Sequence, residues 1–160
     1  MALAEKQISD HIQTSAEVYE ASALPCARVV HTQQNAPKTA ELEPLPENVA
    51  ATPYNQKSPA QWAYERLILY IKNFESQLDN EHEVAMGFTG GDAGVLRIEG
   101  IGYFDPDIVT FYGHDEGESR TQLIQHVSQL NVMLRALPKA PEEEMPRRIG
   151  FRLAADLDKT

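Results

Sequence analysis

The spacing of apolar residues in this chain changes at Asn80, and that change limits what the chain can fold into. Before Asn80, residues such as Leu67, Ile71 and Phe74 recur every three or four positions, which is the period of one helix face. After it, apolar residues at 84–88 alternate with polar or small ones, as in a strand with one buried face. The order helix, then strands, predicts an α+β domain.

The start of the helix is marked by its own sequence signal. Ser58-Pro59-Ala60-Gln61 is a capping box with proline at the first helical position. Asp79-Asn80 ends the pattern, so we expect a helix over about 59–79. Trp62 and Tyr64 widen its apolar face, which favours packing on a sheet, on a partner subunit or on both.

Turn residues divide the rest of the domain into short strands. We predict strands at 84–88, 95–104, 108–112, 121–130 and 132–137, with a possible sixth at 147–153. Gly100 and Gly102 mark a bend or bulge in the second strand. Short, bent strands are typical of a closed sheet, so the predicted fold is a helix followed by a small, strongly bent antiparallel barrel of five to six strands.

The N-terminal third of the chain has a different composition. Six of the ten prolines fall between Pro25 and Pro59, and the stretch 33–57 has almost no large apolar residues. Such a stretch buries too little surface to offset chain entropy. We therefore expect a flexible, disordered acidic arm over 1–57 with a weak helix near 3–20, a domain at 58–153 and a frayed tail at 154–160.

Charge and cysteine content narrow the classes of function. The net charge is −10, which disfavours nucleic acid and anionic membranes as partners. The single cysteine, Cys26, allows no intrachain disulfide and no thiol metal site. No apolar run reaches the ~20 residues of a membrane span, and the N-terminus lacks the pattern of a signal peptide. We expect a cytoplasmic protein that uses no cofactor.

Several segments resemble a bacterial family of unknown function. They are SPAQWAYERLILYIKNFESQLDNEHEV, IGYFDPDIVTFYG and QLIQHVSQLNVMLRALPK. The resemblance covers about residues 58–153 and brings no activity with it.

A more distant resemblance is to the Sm-like fold, which includes the bacterial RNA chaperone Hfq. Ile98-Glu99-Gly100, Phe104-Asp105 and Ile108-Val109 resemble the first motif of that fold, and the segment 122–126 resembles the second. The resemblance implies a ring-forming oligomer joined through strands four and five. The spacings within both motifs are one residue short of the Hfq pattern, and Gln125 stands where Hfq has a lysine that engages RNA.

Polar residues of strand four and a group of arginines are the candidates for ligand binding. Arginines suit phosphates or carboxylates, although pairing with the acidic run at 142–144 is the alternative. The candidate ligand or RNA-binding residues are Gln122, Gln125, His126, Arg147 and Arg148. Because both faces of strand four carry polar as well as apolar residues, the strand also suits a subunit interface. The candidate interface residues are Ile124, His126, Ser128, Leu130, Val132 and Leu134.

Histidine and acidic residues between strands three and four offer a further hypothesis. His114, Asp115, Glu116 and Glu118 could supply metal ligands, but a glycine-bounded hairpin loop needs such residues anyway. We assign no catalytic residue and no metal ligand.

Three functions follow from these patterns. The favoured one is a non-enzymatic assembly or adaptor protein that forms a homo-oligomer and reaches a protein partner through its N-terminal arm. The first alternative is an Sm-like regulator that binds single-stranded RNA or a nucleotide. The second alternative is a small metal-dependent enzyme that uses His114, Asp115 and His126.

Overall fold

The computed structural model describes residues 27–88 and 94–158. The weak helix predicted near 3–20, Cys26 and most of the glycine-rich turn between the first two strands lie outside these ranges. Among the described helices, none combines the length and the hydropathy needed to cross a membrane.

The described chain contains three α-helices, five β-strands and three short 3-10 turns. The helices are α1 (Glu47–Ala51), α2 (Pro59–Ser76) and α3 (Gly150–Leu157). The strands are β1 (His82–Phe88), β2 (Val95–Phe104), β3 (Ile108–His114), β4 (Arg120–His126) and β5 (Val132–Pro138). The 3-10 turns are Ala40–Leu42, Tyr54–Gln56 and Val127–Gln129.

Helix α2 lies where the residue spacing predicts it. The Ser58 hydroxyl accepts a hydrogen bond from the Gln61 amide at 3.0 Å, so the capping residue acts as the sequence indicates. Ile68 and Ile71 are fully buried. They belong to one face because they are three residues apart on a helix.

The five strands form one antiparallel sheet in the order β4-β3-β2-β1-β5. Alternate residues of each strand face α2 and form the main core, among them Met86, Ile98 and Phe111, which are 0–1% exposed. The register of β2 and β3 shifts between Ile98 and Gly100, so the predicted bulge is present. The α+β class is therefore confirmed.

The predicted closed barrel is wrong, because the sheet is open. Pairing ends at β4 on one side and at β5 on the other, so each is an edge strand in the described chain. Strand four was predicted to continue to residue 130, but it stops at His126. The His126 side chain accepts a hydrogen bond from the Ser128 amide at 3.1 Å and so caps a 3-10 turn. The chain leaves the sheet at that turn.

The predicted sixth strand at 147–153 is also wrong, because residues 147–149 form a loop and Gly150 begins helix α3. Three alternating apolar residues were too short a pattern to exclude a helix, and Phe151, one of the three, is 77% exposed. Ala154 and Leu157 lie three residues apart and are buried against α2, so part of the predicted frayed tail is helical. The buried Glu75 carboxylate accepts hydrogen bonds from the amides of Ile149 and Gly150 at 2.8 and 2.9 Å. The first backbone N–H groups of α3 therefore have acceptors.

The described part of the predicted arm packs on the domain instead of extending as a linker. Val49 on α1 is 1% exposed and joins a second core cluster with α2 and α3. The Lys57 ammonium donates to the Val49 carbonyl at 2.6 Å and pairs with Glu65 at 2.8 Å. The apolar contacts of Val49 and one buried ion pair thus hold in place a segment for which the composition alone predicts disorder.

Candidate functional site

One face of the sheet carries no helix, and large apolar side chains are exposed on it. Residues 108, 110, 112 and 114 of β3 share this face by alternation, opposite to the buried Val109 and Phe111. Across the register, Ile124 lies beside Thr110, and Phe104 lies beside Ile108. The side chains of three of these residues, which we call the apolar strip, are exposed: Phe104 (76%), Ile124 (61%) and Tyr112 (41%).

The Tyr112 ring lies against the backbone of β2. A Cβ atom built on Gly100 or Gly102 would meet ring carbons of Tyr112 at 3.7 Å. The two glycines therefore leave room for the ring to lie close to the sheet.

A polar cleft of about 830 Å³ continues the same face beyond Tyr112. We call this site the cleft. Its floor consists of charged side chains from three strands and from the loop before α3: Glu83, Arg97, Glu99, His114 and Arg147. The apolar strip and the cleft are neighbours because Tyr112 and His114 are two residues apart on one face of β3.

The cations of the floor are paired with buried or half-buried carboxylates. Arg97 Nη1 donates to Glu83 Oε2 at 2.8 Å, and Arg97 Nη2 donates to the Pro138 carbonyl at 3.1 Å. Glu83 is 4% exposed, and its other oxygen accepts the Arg147 amide at 2.8 Å. The charge of Arg97 is therefore neutralised within the floor of the cleft.

Glu99 joins the second half of this network. Its Oε1 lies 2.5 Å from His114 Nδ1 and 3.4 Å from Arg147 Nη1. The Arg147 Nη2 donates to the Ile98 carbonyl at 3.2 Å, next to the bulge. The guanidinium of Arg147 thus fixes the loop before α3 to β2.

The rim of the cleft is acidic. The carboxylates on the rim come from the β3–β4 loop and from the loop before α3: Asp115, Glu116, Glu118, Glu142 and Glu143. None of the five forms an ion pair with any other residue that the structure describes. Lys139 also lines the cleft, but its ammonium donates to the Glu143 carbonyl and lies 3.7 Å from Glu81. The unpaired charge of the cleft is negative.

The residues of the metal-enzyme hypothesis do not converge. His114 and Asp115 line the cleft, whereas His126 lies at the opposite end of β4, where it faces Ile108. Among the described residues, no group of three His, Cys, Asp or Glu side chains is arranged to hold a metal ion.

The predicted ligand-binding residues are dispersed. His126 is held by Asp107, with Nε2 2.8 Å from the carboxylate. Arg148 donates to the backbone carbonyls of His82 and Asp79, both at 2.7 Å. Gln122 is exposed beside Tyr112, whereas a side-chain oxygen of Gln125 is buried without a partner in the described chain. Of the five, only Arg147 lies in the cleft, where it pairs with Glu99 and not with the run at 142–144.

The predicted interface residues separate in the same way. Leu130, Val132 and Leu134 are partly buried and pack against the main core. Ile124 and Ser128 are exposed. Leu130 and two residues of β5 thus contribute to the interior of one copy, and of the candidate interface residues only Ile124 of β4 and Ser128 of the 3-10 turn are exposed.

Sequence reasoning missed Glu83, Arg97 and Glu99, which build most of the floor. A signal was present, because Glu83 and Arg97 interrupt two strands that are otherwise largely apolar. Opposite charges at such positions on consecutive antiparallel strands favour a cross-strand pair.

The chain was compared with protein-family models, curated proteins and solved structures. A model described as a family of unknown function (DUF6173) matches residues 56–152, which confirms the resemblance of the long helix and the strand segments to such a family. The searches of the curated proteins and of the solved structures gave no match. The comparisons bring no relative that supports the Sm-like resemblance.

Proposed function

Since the chain belongs to this family of unknown function, we propose from its geometry that it is a non-enzymatic binding protein. It holds a basic, partly apolar segment of a partner protein along the uncovered face of its sheet. One observation carries the proposal: two loops bring unpaired carboxylates to the rim of a cleft whose floor cations are already neutralised.

The charge of the cleft selects the class of partner. The floor arginines cannot attract an anion strongly, because Glu83 and Glu99 already hold them. The rim carboxylates add to the field of a chain with a net charge of −10. A field of this sign attracts lysine and arginine side chains and repels phosphates, so it favours a basic peptide over RNA.

The apolar strip supplies the second part of the binding surface. Tyr112 lies about 7 Å along β3 from His114, since a strand rises about 3.4 Å per residue. A single extended segment of a few residues therefore spans both the strip and the cleft. Apolar side chains of that segment cover Phe104 and Ile124, and its cationic side chains meet the rim.

A titration with a defined peptide tests the proposal. The probe is a fluorescent synthetic peptide of alternating lysine and leucine, measured by anisotropy at low and at raised salt. Glu116→Lys or Glu142→Lys should weaken binding by about fivefold or more, since each replaces an attractive charge by a repulsive one. The matched control is Glu47→Lys on α1, which changes the net charge equally at an exposed site away from the cleft.

The comparison of the variants decides the outcome. If Glu47→Lys weakens binding as much as the rim variants, the affinity of the peptide depends only on the net charge of the protein, and the proposal is wrong. Raised salt should reduce the difference between rim and control variants, because exposed charges are screened.

A second candidate function is self-association through β4. In the described chain β4 pairs only with β3, and it contains no proline, lysine or acidic residue of the kind that protects edge strands. Two β4 strands paired antiparallel about Leu123 would set Arg120 of one copy beside His126 of the other, where Asp107 lies close. Sedimentation of Ile124→Lys against the unchanged chain tests this, and a chain that stays monomeric across micromolar concentrations contradicts it.

The proposed use of the N-terminal arm as a partner-binding element stays a prediction. Residues 1–26 lie outside the described chain, and residues 40–57 contact the domain itself.

A further inference from the structure

A second cavity, of about 680 Å³, lies between the arm and helix α2 and is separate from the cleft. Its volume is within the range of small-molecule sites. The residues used in the argument below are Glu41, Leu45, Trp62, Arg66, Leu69 and Tyr70, all of which line it. Apolar side chains and a few charged ones therefore line one half-open cavity.

Arg66 brings one guanidinium nitrogen without a hydrogen-bond partner to this cavity. Its guanidinium lies 3.3 Å from the centre of the Trp62 ring, which is a close cation–π contact. Nη1 lies 3.3 Å from Glu65, a carboxylate that Lys57 already holds at 2.8 Å. Nη2 is buried and has no hydrogen-bond partner within the described residues. Two cations thus share one carboxylate, and one guanidinium nitrogen is left to donate a hydrogen bond to an anion.

Glu41 brings the complementary group. Its Oε1 accepts a hydrogen bond from the Tyr70 hydroxyl at 2.8 Å, and this bond lowers the pKa of Glu41 below its ordinary value. The side chain is therefore a carboxylate at neutral pH. Its second oxygen, Oε2, is buried and finds no donor in the described chain.

We propose that this cavity binds a free α-amino acid with an apolar side chain. The ligand carboxylate accepts from Arg66 Nη2, and the ligand ammonium donates to Glu41 Oε2. Leu45 and Leu69 receive the apolar side chain. An unpaired donor and an unpaired acceptor of opposite charge in one cavity match a zwitterion, whereas a ligand of a single charge would leave one of them buried and unsatisfied.

Entry of the ligand requires a small movement of the arm. Both unpaired atoms are shielded from bulk solvent, and Glu41 lies in the 3-10 turn Ala40–Leu42, none of whose residues is buried. Few buried contacts oppose a shift of that turn away from α2. The movement carries Glu41, and with it the unpaired Oε2, away from α2.

Trp62 provides the readout, since it is the only tryptophan of the chain. L-leucine should change its fluorescence in a saturable way below about 10 mM. N-acetyl-L-leucine lacks the ammonium, and L-leucinamide lacks the carboxylate. Each should bind at least about tenfold more weakly than L-leucine, because each loses one charge-assisted hydrogen bond.

Two variants and one control complete the test, with calorimetry as the measurement that does not depend on Trp62. Glu41→Gln and Arg66→Gln should each remove most of the leucine binding. Glu47→Gln should preserve it, since Glu47 is exposed on α1 and is not among the residues that line the cavity. Absence of a saturable signal by both methods would mean that water alone fills the cavity, and equal binding of N-acetyl-L-leucine would exclude the zwitterion. Either result overturns the inference without touching the proposed function of the cleft.

Discussion

Arg97 on β2 and Glu83 on β1 form an ion pair of 2.8 Å on the sheet face that lacks a helix. The carboxylate is 5% exposed, and the guanidinium is one-third exposed at 33%. Through its other oxygen Glu83 holds the amide of Arg147 at 2.8 Å. One buried carboxylate therefore joins two strands to the loop before α3, and it removes the charge of Arg97 from the cleft.

Glu83→Gln should destabilise the protein, because Arg97 would keep its charge and lose its counter-ion. Breaking a fully buried pair costs about 3–5 kcal/mol, and the partial exposure of Arg97 reduces the expected loss to about 2–3 kcal/mol. Urea unfolding measures it. Glu99→Gln is the control, since both partners of Glu99 are about 40% exposed and its loss should be about 1 kcal/mol or less. Equal losses would show that the Glu83 pair is not a structural tie.

Ile124→Ser should weaken binding of the lysine–leucine peptide by about fivefold or more, because it removes apolar contact area without changing the charge, and leave stability nearly unchanged. Ile124 is 61% exposed, so its replacement changes the free energy of unfolding by only about 0.5 kcal/mol. Phe151→Ser on α3 is the matched control, because Phe151 is 77% exposed on an element away from the uncovered face. Peptide anisotropy on both variants checks the prediction, which fails if the two lose affinity equally.

Gly113→Ala should prevent normal pairing of β2 and β3. A Cβ atom at residue 113 would lie 2.0 Å from the backbone carbonyl oxygen of Arg97, and a backbone atom cannot move aside as a flexible side chain can. We expect a loss of several kcal/mol, in the range of severe overpacking at about 3 kcal/mol or more. Gly117→Ala is the control, since its Cβ would meet only Asp115 at 3.5 Å. Thermal unfolding of both variants decides, and similar transition temperatures would contradict the prediction.

Stability should fall at high pH through Tyr64. Burial, together with the 2.7 Å hydrogen bond to Asp156, raises the pKa of Tyr64 above its ordinary value of 10.0. Below pH 10 both the folded and the unfolded chain hold this proton, so the stabilisation is complete. Above pH 10 the unfolded chain loses the proton first, and stability decreases as pH rises towards the pKa of the folded state.

The variant Tyr64→Phe isolates this effect. It should be less stable than the unchanged chain at neutral pH, because Asp156 loses a donor, and its stability should decline less steeply above pH 10. Urea unfolding at a series of pH values measures both slopes. Parallel slopes would show that deprotonation of Tyr64 does not cause the loss of stability above pH 10.

The helix and the strands were predictable because the spacing of apolar residues depends only on local geometry. Leu67, Ile71 and Phe74 show the helical period without any knowledge of what they contact. Closure of the sheet is different, because it depends on pairing between strands that are distant in sequence. The turn capped by His126 ends β4 early, and no propensity rule signals that a histidine will cap it.

The sites were harder to predict for the same reason. Arg147 is 64 residues from Glu83, and Arg66 is 25 residues from Glu41, so no motif spacing connects them. Helix α3 shows the limit of short patterns, since Ile149, Phe151 and Leu153 alternate like a strand. The burial of Gly150 against α2 and its hydrogen bond to Glu75 favour a helix over a strand. Both are tertiary contacts, which no local pattern shows.

The central claim is that the uncovered sheet face binds a basic segment, and amide chemical-shift mapping with the lysine–leucine peptide tests it most directly. We predict that the shifts on addition of the peptide concentrate in β3, in β4 and in the loops that contain Glu116 and Glu142. Shifts confined to α2 and α3, or spread evenly over every exposed acidic residue, would contradict the claim.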